Sequence, residues 1–389
     1  MSDRAAAQEP PGTPSLGLPD GVTGVLPDRL LRLAVDSHVV DAGRFVVPPE
    51  NIQPASLDLR LGECAHRVRC SFLPGDATVE ERLKEYSSDV LDLRDRGAVL
   101  EIGRPYLVPL KERLRLPPGV QAKANPKSST GRIDVFTRVI TDHGRRFDDV
   151  APGYCGPLYL EVVPLSFAVR VREDLTLNQL RLVAGRPELS DEELREQHAR
   201  DPLLYRGGRP VPPEELALSS GLFLGLDLRG DEVRGVGYRA REGAPLLDLT
   251  PGATVSTEMF FEVVRSEPGD RLPLIPKKFY LLMSDEAVAI PPTLSAEMTA
   301  YDPTSGELRT HYAGFFDPGF GFDREAGFLG SRAALEVRAH DVEFMIEDRQ
   351  PVCKLTFQRM MEVPEHLYGA AIGSSYQQQT ETLSKYFRR

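Results

Sequence analysis

The chain repeats itself. The segment Ser56-Leu57-Asp58-Leu59-Arg60 returns as Gly225-Leu226-Asp227-Leu228-Arg229, 169 positions later. The run from Tyr106-Leu107 to Leu116-Pro117-Pro118 returns without gaps as Tyr280-Leu281 to Ile290-Pro291-Pro292, offset by 174. Leu160-Glu161-Val162 matches Leu335-Glu336-Val337, and Leu180-Arg181-Leu182 matches Leu355-Thr356-Phe357, both offset by 175. Four separate segments at a nearly constant spacing are the mark of a tandem duplication. Each copy must close its own core, and the residues available to do so run in short apolar and polar alternations broken by 33 glycines and 33 prolines. That period and that punctuation belong to turn-rich β-structure.

The copies have edges. Residues 1–20, rich in Pro, Gly and Ala, read as a disordered leader, 21–186 as the first repeat and 219–361 as the second, and 362–389 as a C-terminal tail. Between the repeats, 187–218 read as a linker, with Ser190-Asp191-Glu192-Glu193 as a capping box ahead of a short charged helix. A further helix is expected from Pro27 to Val35, where Leu30, Leu31, Ala34 and Val35 share a face. No apolar run approaches the roughly 18 residues that span a bilayer, and the leader lacks a signal core, so a cytoplasmic protein without membrane partner is expected. A net charge of −11 disfavours a nucleic-acid partner and requires that any anionic substrate meet a local basic pocket.

Cys64, Cys70, Cys155 and Cys353 form no C-x-x-C pair, and neither H-x-E nor P-C-x-x-C occurs, so the zinc-deaminase ligand set is missing. The seven histidines are scattered. Two features carry chemistry instead. Lys127-Ser128-Ser129-Thr130-Gly131-Arg132 puts adjacent hydroxyls, turn N–H groups and two cations just ahead of a β-branched run, a pattern suited to an anion nest with an arginine fork. Glu336 and Glu161 each lie in an apolar strand, where lost solvation raises the basicity of a carboxylate.

Ile52 to Gly62, the serine segment and Gly156 to Val162, in that order, together with Tyr368 and Tyr376-Gln377-Gln378-Gln379 near the end, resemble the dCTP deaminase and dUTPase superfamily, most nearly the zinc-independent dCTP deaminases. The resemblance runs from about Val25 to the C-terminus. It implies two tandem dUTPase-like distorted jelly-roll β-barrels with a few short helices, and a site made between barrels, with the serine segment of one facing the base-binding hairpin and glutamate of another. The repeats have diverged in complementary ways. The second reads Thr299 to Gly306 where the serine segment would be, whereas Tyr312 to Phe320 resembles the hairpin, which in the first repeat is expanded and charged, with Ala151 in the place of the usual aspartate.

The implied nucleotide site therefore takes Lys127, Ser128, Ser129, Thr130, Gly131 and Arg132 from repeat one, and Ala313, Asp317 and Leu335 from repeat two. Tyr368 and Gln379 would come from a flexible tail closing over it. Glu336 is the preferred base and Glu161 the reserve. Ser375 and Phe315 stand where relatives carry lysine and arginine. The implied reaction is hydrolysis of dCTP to dUTP and ammonia, in pyrimidine deoxynucleotide biosynthesis, with Mg²⁺ bound through the triphosphate and no zinc. A dUTP pyrophosphatase, a bifunctional enzyme and a non-catalytic nucleotide sensor are the alternatives. Relatives are inhibited by dTTP, and the sequence leaves open whether this chain is. It also leaves open a homo-oligomer (a trimer of two-barrel chains) or a self-contained two-repeat monomer.

Overall fold

The computed structural model describes residues 15–19, 21–230, 235–250, 252, 254–300, 308–310, 314–323, 327–339, 341–369, 372–374 and 376–388. It is mainly β, and the duplication is visible in strand register. In repeat one, Val120–Pro126 pairs antiparallel with Thr176–Ala184, placing Ala124 opposite Leu180 and Ala122 opposite Leu182. In repeat two, Leu294–Ala300 pairs with Pro351–Arg359, placing Met298 opposite Leu355 and Ala296 opposite Phe357. The glutamate strands correspond too, with Glu161 opposite Leu107 and Glu336 opposite Leu281.

Each repeat folds two sheets around a core of its own, because strand alternation turns one face of every sheet apolar. Leu57, Leu59, Leu160, Val162 and Leu180 are among the buried residues of the first core, and Leu224, Leu282, Leu335, Leu355 and Phe357 of the second. A fully buried side chain of this size stabilises the fold by about 1.5–3 kcal/mol. The first core also recruits distant chain. Leu247–Asp248 adds to Val169–Val171 as a parallel strand, and Phe260 and Phe261 pack edge-on against Phe167 at 5.2 and 5.4 Å.

The expected early helix runs Asp28–Asp36 with Leu30, Leu31 and Ala34 buried, and the linker helix Asp191–Arg200 is capped by Ser190 and Glu193. Residues 1–14 and 20 of the expected leader lie outside the described residues, and within 15–19 Leu16 is buried in the first core. Among the described residues no helix is long and apolar enough to cross a membrane.

The tail expected to close over the site is a strap that makes contacts at both of its ends. At its root, the carboxylate of Asp28 accepts the backbone N–H groups of Glu365 (2.9 Å) and His366 (3.2 Å), and Arg29 pairs with Glu362 at 2.7 Å. At its far end Phe387 packs edge-on against Phe260 and Phe261 at 5.5 and 5.2 Å, and the Val255 N–H donates to the Tyr386 carbonyl at 3.0 Å. Three aromatic and apolar residues, Leu383, Tyr386 and Phe387, reach the first core, and their burial offsets part of the chain entropy lost in ordering the segment.

Candidate active site

The strand Val120–Pro126 ends in proline, and the chain turns at once through one helical turn, Ser128–Gly131, closed by Thr130 N–H to Lys127 O at 2.8 Å and Arg132 N–H to Ser128 O at 3.1 Å. This turn belongs to repeat one. Facing it is a strand and turn of repeat two, Gly314–Phe316 followed by Asp317-Pro318-Gly319-Phe320. Gly319 has φ +97°, and a Cβ there would lie 2.8 Å from the Cβ of Leu367, so the turn admits only glycine. Between the two elements lies a cavity of about 290 Å³, roofed by the tail.

The floor is the strand Ser331–Ala339. Ala333 and Ala334 leave room above it, and Glu336 points into the space, only 7% exposed. Burial pushes the Glu336 carboxyl up to about 7. The guanidinium of Arg132 pulls it down, and Asp134 opposes that pull. A carboxyl in this range exchanges a proton readily at neutral pH, which is what a general base needs.

Arg132 is itself buried, and the tail claims its guanidinium. Nη2 donates to Gln379 Oε1 at 2.7 Å, Nη1 to the carbonyls of Thr382 and Leu383 at 3.3 and 3.4 Å, and the group stacks on Tyr376 at 3.8 Å. The arginine expected as a free phosphate fork is thus a post between the glutamate and the strap. Ser384 Oγ donates to Ser129 O at 2.9 Å, Gln377 spans Gly319 and Gly321, and Tyr368 N–H donates to Pro318 O at 2.8 Å. At the other end of the pocket the Lys127 ammonium is bound by Asp58 and by Thr176 Oγ1.

Lys127, Ser128, Ser129, Gly131, Arg132, Asp317, Glu336, Tyr368 and Gln379 all line this one cavity. Three expected members do not. Thr130 is buried beneath its turn, and Leu335 faces the second core because alternate strand residues point oppositely. Glu161 stays inside repeat one, where Arg138 holds its Oε2 through Nη2 at 2.6 Å and Nε at 2.9 Å while stacking on Phe147 at 3.6 Å. Ala313 and Ser375 lie outside the described residues.

Sequence reasoning missed Arg181, which it used only as a repeat marker. Fully buried, it leaves repeat one to bind repeat two: Nη2 reaches Asp317 Oδ1 at 3.0 Å, Nη1 the Ala296 carbonyl and Gln358 Oε1 at 3.2 Å each, and the guanidinium stacks on Phe315 at 4.0 Å. Burial pushes the Asp317 carboxyl up and Arg181 draws it back. An arginine inside Leu180-Arg181-Leu182-Val183 is the one local sign of such a pair.

Comparison with known proteins bears on this pocket. The family model for the 2′-deoxycytidine 5′-triphosphate deaminase N-terminal domain matches residues 22–186, and that for the C-terminal domain matches 190–387. The crystal structure of 2′-deoxycytidine 5′-triphosphate deaminase from Agrobacterium tumefaciens is 41% identical, with a TM-score of 0.81, covering 88% of this chain and all of that one. The dCTP deaminase of Natronomonas pharaonis is 29% identical over 171 residues, 42% of this chain and 84% of the relative. A dUMP-forming dCTP deaminase of Methanosphaera stadtmanae is 28% identical over 128 residues, 32% of this chain and 62% of the relative.

Proposed function

Because this chain belongs to the 2′-deoxycytidine 5′-triphosphate deaminase family, we propose that it hydrolyses dCTP to dUTP and ammonia in the pocket between its two repeats, with Glu336 as the base. The observation that carries this reading is a buried carboxyl, raised to about 7, above small alanines and beside a cation. Glu336 takes one proton of a water as the water oxygen bonds to the ring carbon bearing the amine, and passes that proton to the adjacent ring nitrogen. The hydroxyl proton then reaches the amine, the carbon–nitrogen bond breaks, and ammonia leaves a carbonyl behind. Ser128 and Ser129 orient phosphate or water, and Asp317, held by Arg181, faces the sugar. Both repeats of the chain contribute walls to the pocket.

Mg²⁺ carried by the triphosphate fits the donors present. Asp58 lines the pocket, and its buried Oδ1 has no hydrogen-bond partner. The ion would offset part of the about four negative charges of the nucleotide. Purified protein incubated with dCTP, CTP and dUTP should release ammonia and dUTP from dCTP, lose activity in EDTA and recover it with Mg²⁺. The dUMP-forming relatives keep a second reading in view, and chromatography showing dUMP from dUTP would favour it. One tightly held zinc per chain would overturn the mechanism.

The pH dependence has a sign. The base works ionised, so kcat/KM for dCTP should rise through an apparent pKa of about 7 and level off above it. A rate that stays flat from pH 5 to 8 would remove Glu336 from the role.

A further inference from the structure

A triphosphate needs free positive charge at its end of the pocket, and among the described residues the cations that line this pocket are Lys127, Arg132 and Lys385. Two are already engaged. Lys127 is bound by Asp58 and Thr176, and the Arg132 guanidinium is taken up by Gln379 and by the carbonyls of Thr382 and Leu383. Lys385 differs. Among the described residues its ammonium has no hydrogen-bond or ion-pair partner, and its nearest ring, Tyr386, lies 5.7 Å away.

Its neighbours nonetheless fix where it stands. Ser384 is tied to the serine turn through Ser129 O at 2.9 Å, the Lys385 N–H donates to the hydroxyl of Tyr376 at 3.3 Å, and Leu383 and Tyr386 are buried on either side. The result is an ammonium without a partner among the described residues, carried by an exposed residue of the strap that lines the pocket; burial of its head group, and next the nearby Lys127, lower its pKa. The tail's Ser375 offers no charge of its own.

We propose that Lys385 is a phosphate-binding residue of this site, the free cation that the closed strap presents to the outer phosphates of the nucleotide. The assignment rests on the deaminase reading of the pocket. A charge-assisted contact of this kind at a partly solvated mouth is worth roughly a tenfold to a hundredfold in affinity.

The test compares Lys385→Ala and Lys385→Arg with the unaltered full-length protein, by steady-state kinetics with dCTP and by calorimetry with inorganic triphosphate and with deoxycytidine. Lys385→Ala should raise KM for dCTP and weaken triphosphate binding by about tenfold or more, leave deoxycytidine binding within about twofold, and lower kcat far less than it raises KM. Lys385→Arg should restore most of the loss, since the charge returns. A merely structural role would instead weaken deoxycytidine along with triphosphate and would gain nothing from arginine. Unchanged KM and unchanged triphosphate affinity in Lys385→Ala would overturn the assignment. If the unaltered protein binds triphosphate but does not deaminate dCTP, the reading of the reaction falls and the phosphate site stands.

Discussion

Replacing Glu336 by glutamine is expected to abolish deamination, lowering kcat by at least about a thousandfold, while dCTP affinity stays within about tenfold. The amide keeps the shape of the side chain and cannot accept the proton of water. A second consequence runs the other way. Burial raises this carboxyl from 4.5 to about 7, so ionised Glu336 costs the fold stability. A group raised in the folded state contributes fully below its unfolded pKa and loses that contribution as pH climbs through the folded one. Glutamine has no charge to desolvate. The variant should therefore melt higher than the parent at pH 8, by a margin on the order of 3 kcal/mol, and the gap should close toward pH 4. Glu161→Gln should do the reverse, retaining turnover while melting lower, because it leaves Arg138 without its buried partner. Near-normal turnover in Glu336→Gln with loss in Glu161→Gln would move the base to repeat one.

Arg132→Ala should lower kcat/KM for dCTP by about a hundredfold to a thousandfold, since one change removes two things. The strap loses its hydrogen bonds to Gln379, Thr382 and Leu383 and the stacking on Tyr376. Glu336 loses the cation that holds its carboxyl down, so the acid limb of the rate profile should move to higher pH. Arg359→Ala, which removes a surface pair with Glu193, is the charge control and should change little. The composite pocket also fixes a count. If the only working site needs the serine turn of one repeat and the Glu336 strand of the other, titration with dCTP in a turnover-deficient variant saturates at one nucleotide per chain. Two per chain, with half the sites indifferent to Arg132→Ala, would sink the composite arrangement.

Much of the architecture was legible along the chain. The offsets of 174 and 175 positions reappear as equal strand registers, because a duplicated segment keeps its alternation and alternation sets which face is buried. The match of Leu57 to Leu226 does not, since Leu57 pairs with Leu180 whereas it is Leu222 that pairs with Leu355, an offset of 165. The serine turn was legible as well, since proline, paired hydroxyls and glycine within six residues bend a chain wherever it lies. Arg181 and Lys385 were not. Each reads locally as a single cation, one in a strand and one near a terminus, and nothing nearby states whether a partner awaits it.

The sequence by itself determined that the chain is a duplicated, mainly β structure and that one copy carries the serine turn while the other carries the segment that resembles the hairpin. These are properties of contiguous residues. Where the second copy begins it did not determine, since Leu203, Leu204 and Val211 of the expected linker are buried in the second core. The tertiary structure alone separates the surroundings of the two glutamates. Glu161 and Glu336 sit in matching Leu-Glu-Val strands at matching register, and differ in what reaches them across space: Arg138 holds one, while the other faces a cavity edged by Arg132 and the strap. Arg132 meets Gln379 across 247 positions and Arg181 meets Asp317 across 136. Periodicity fixes the face a side chain takes, but the neighbour it finds there, and so its charge state, depends on how the two barrels and the tail pack together.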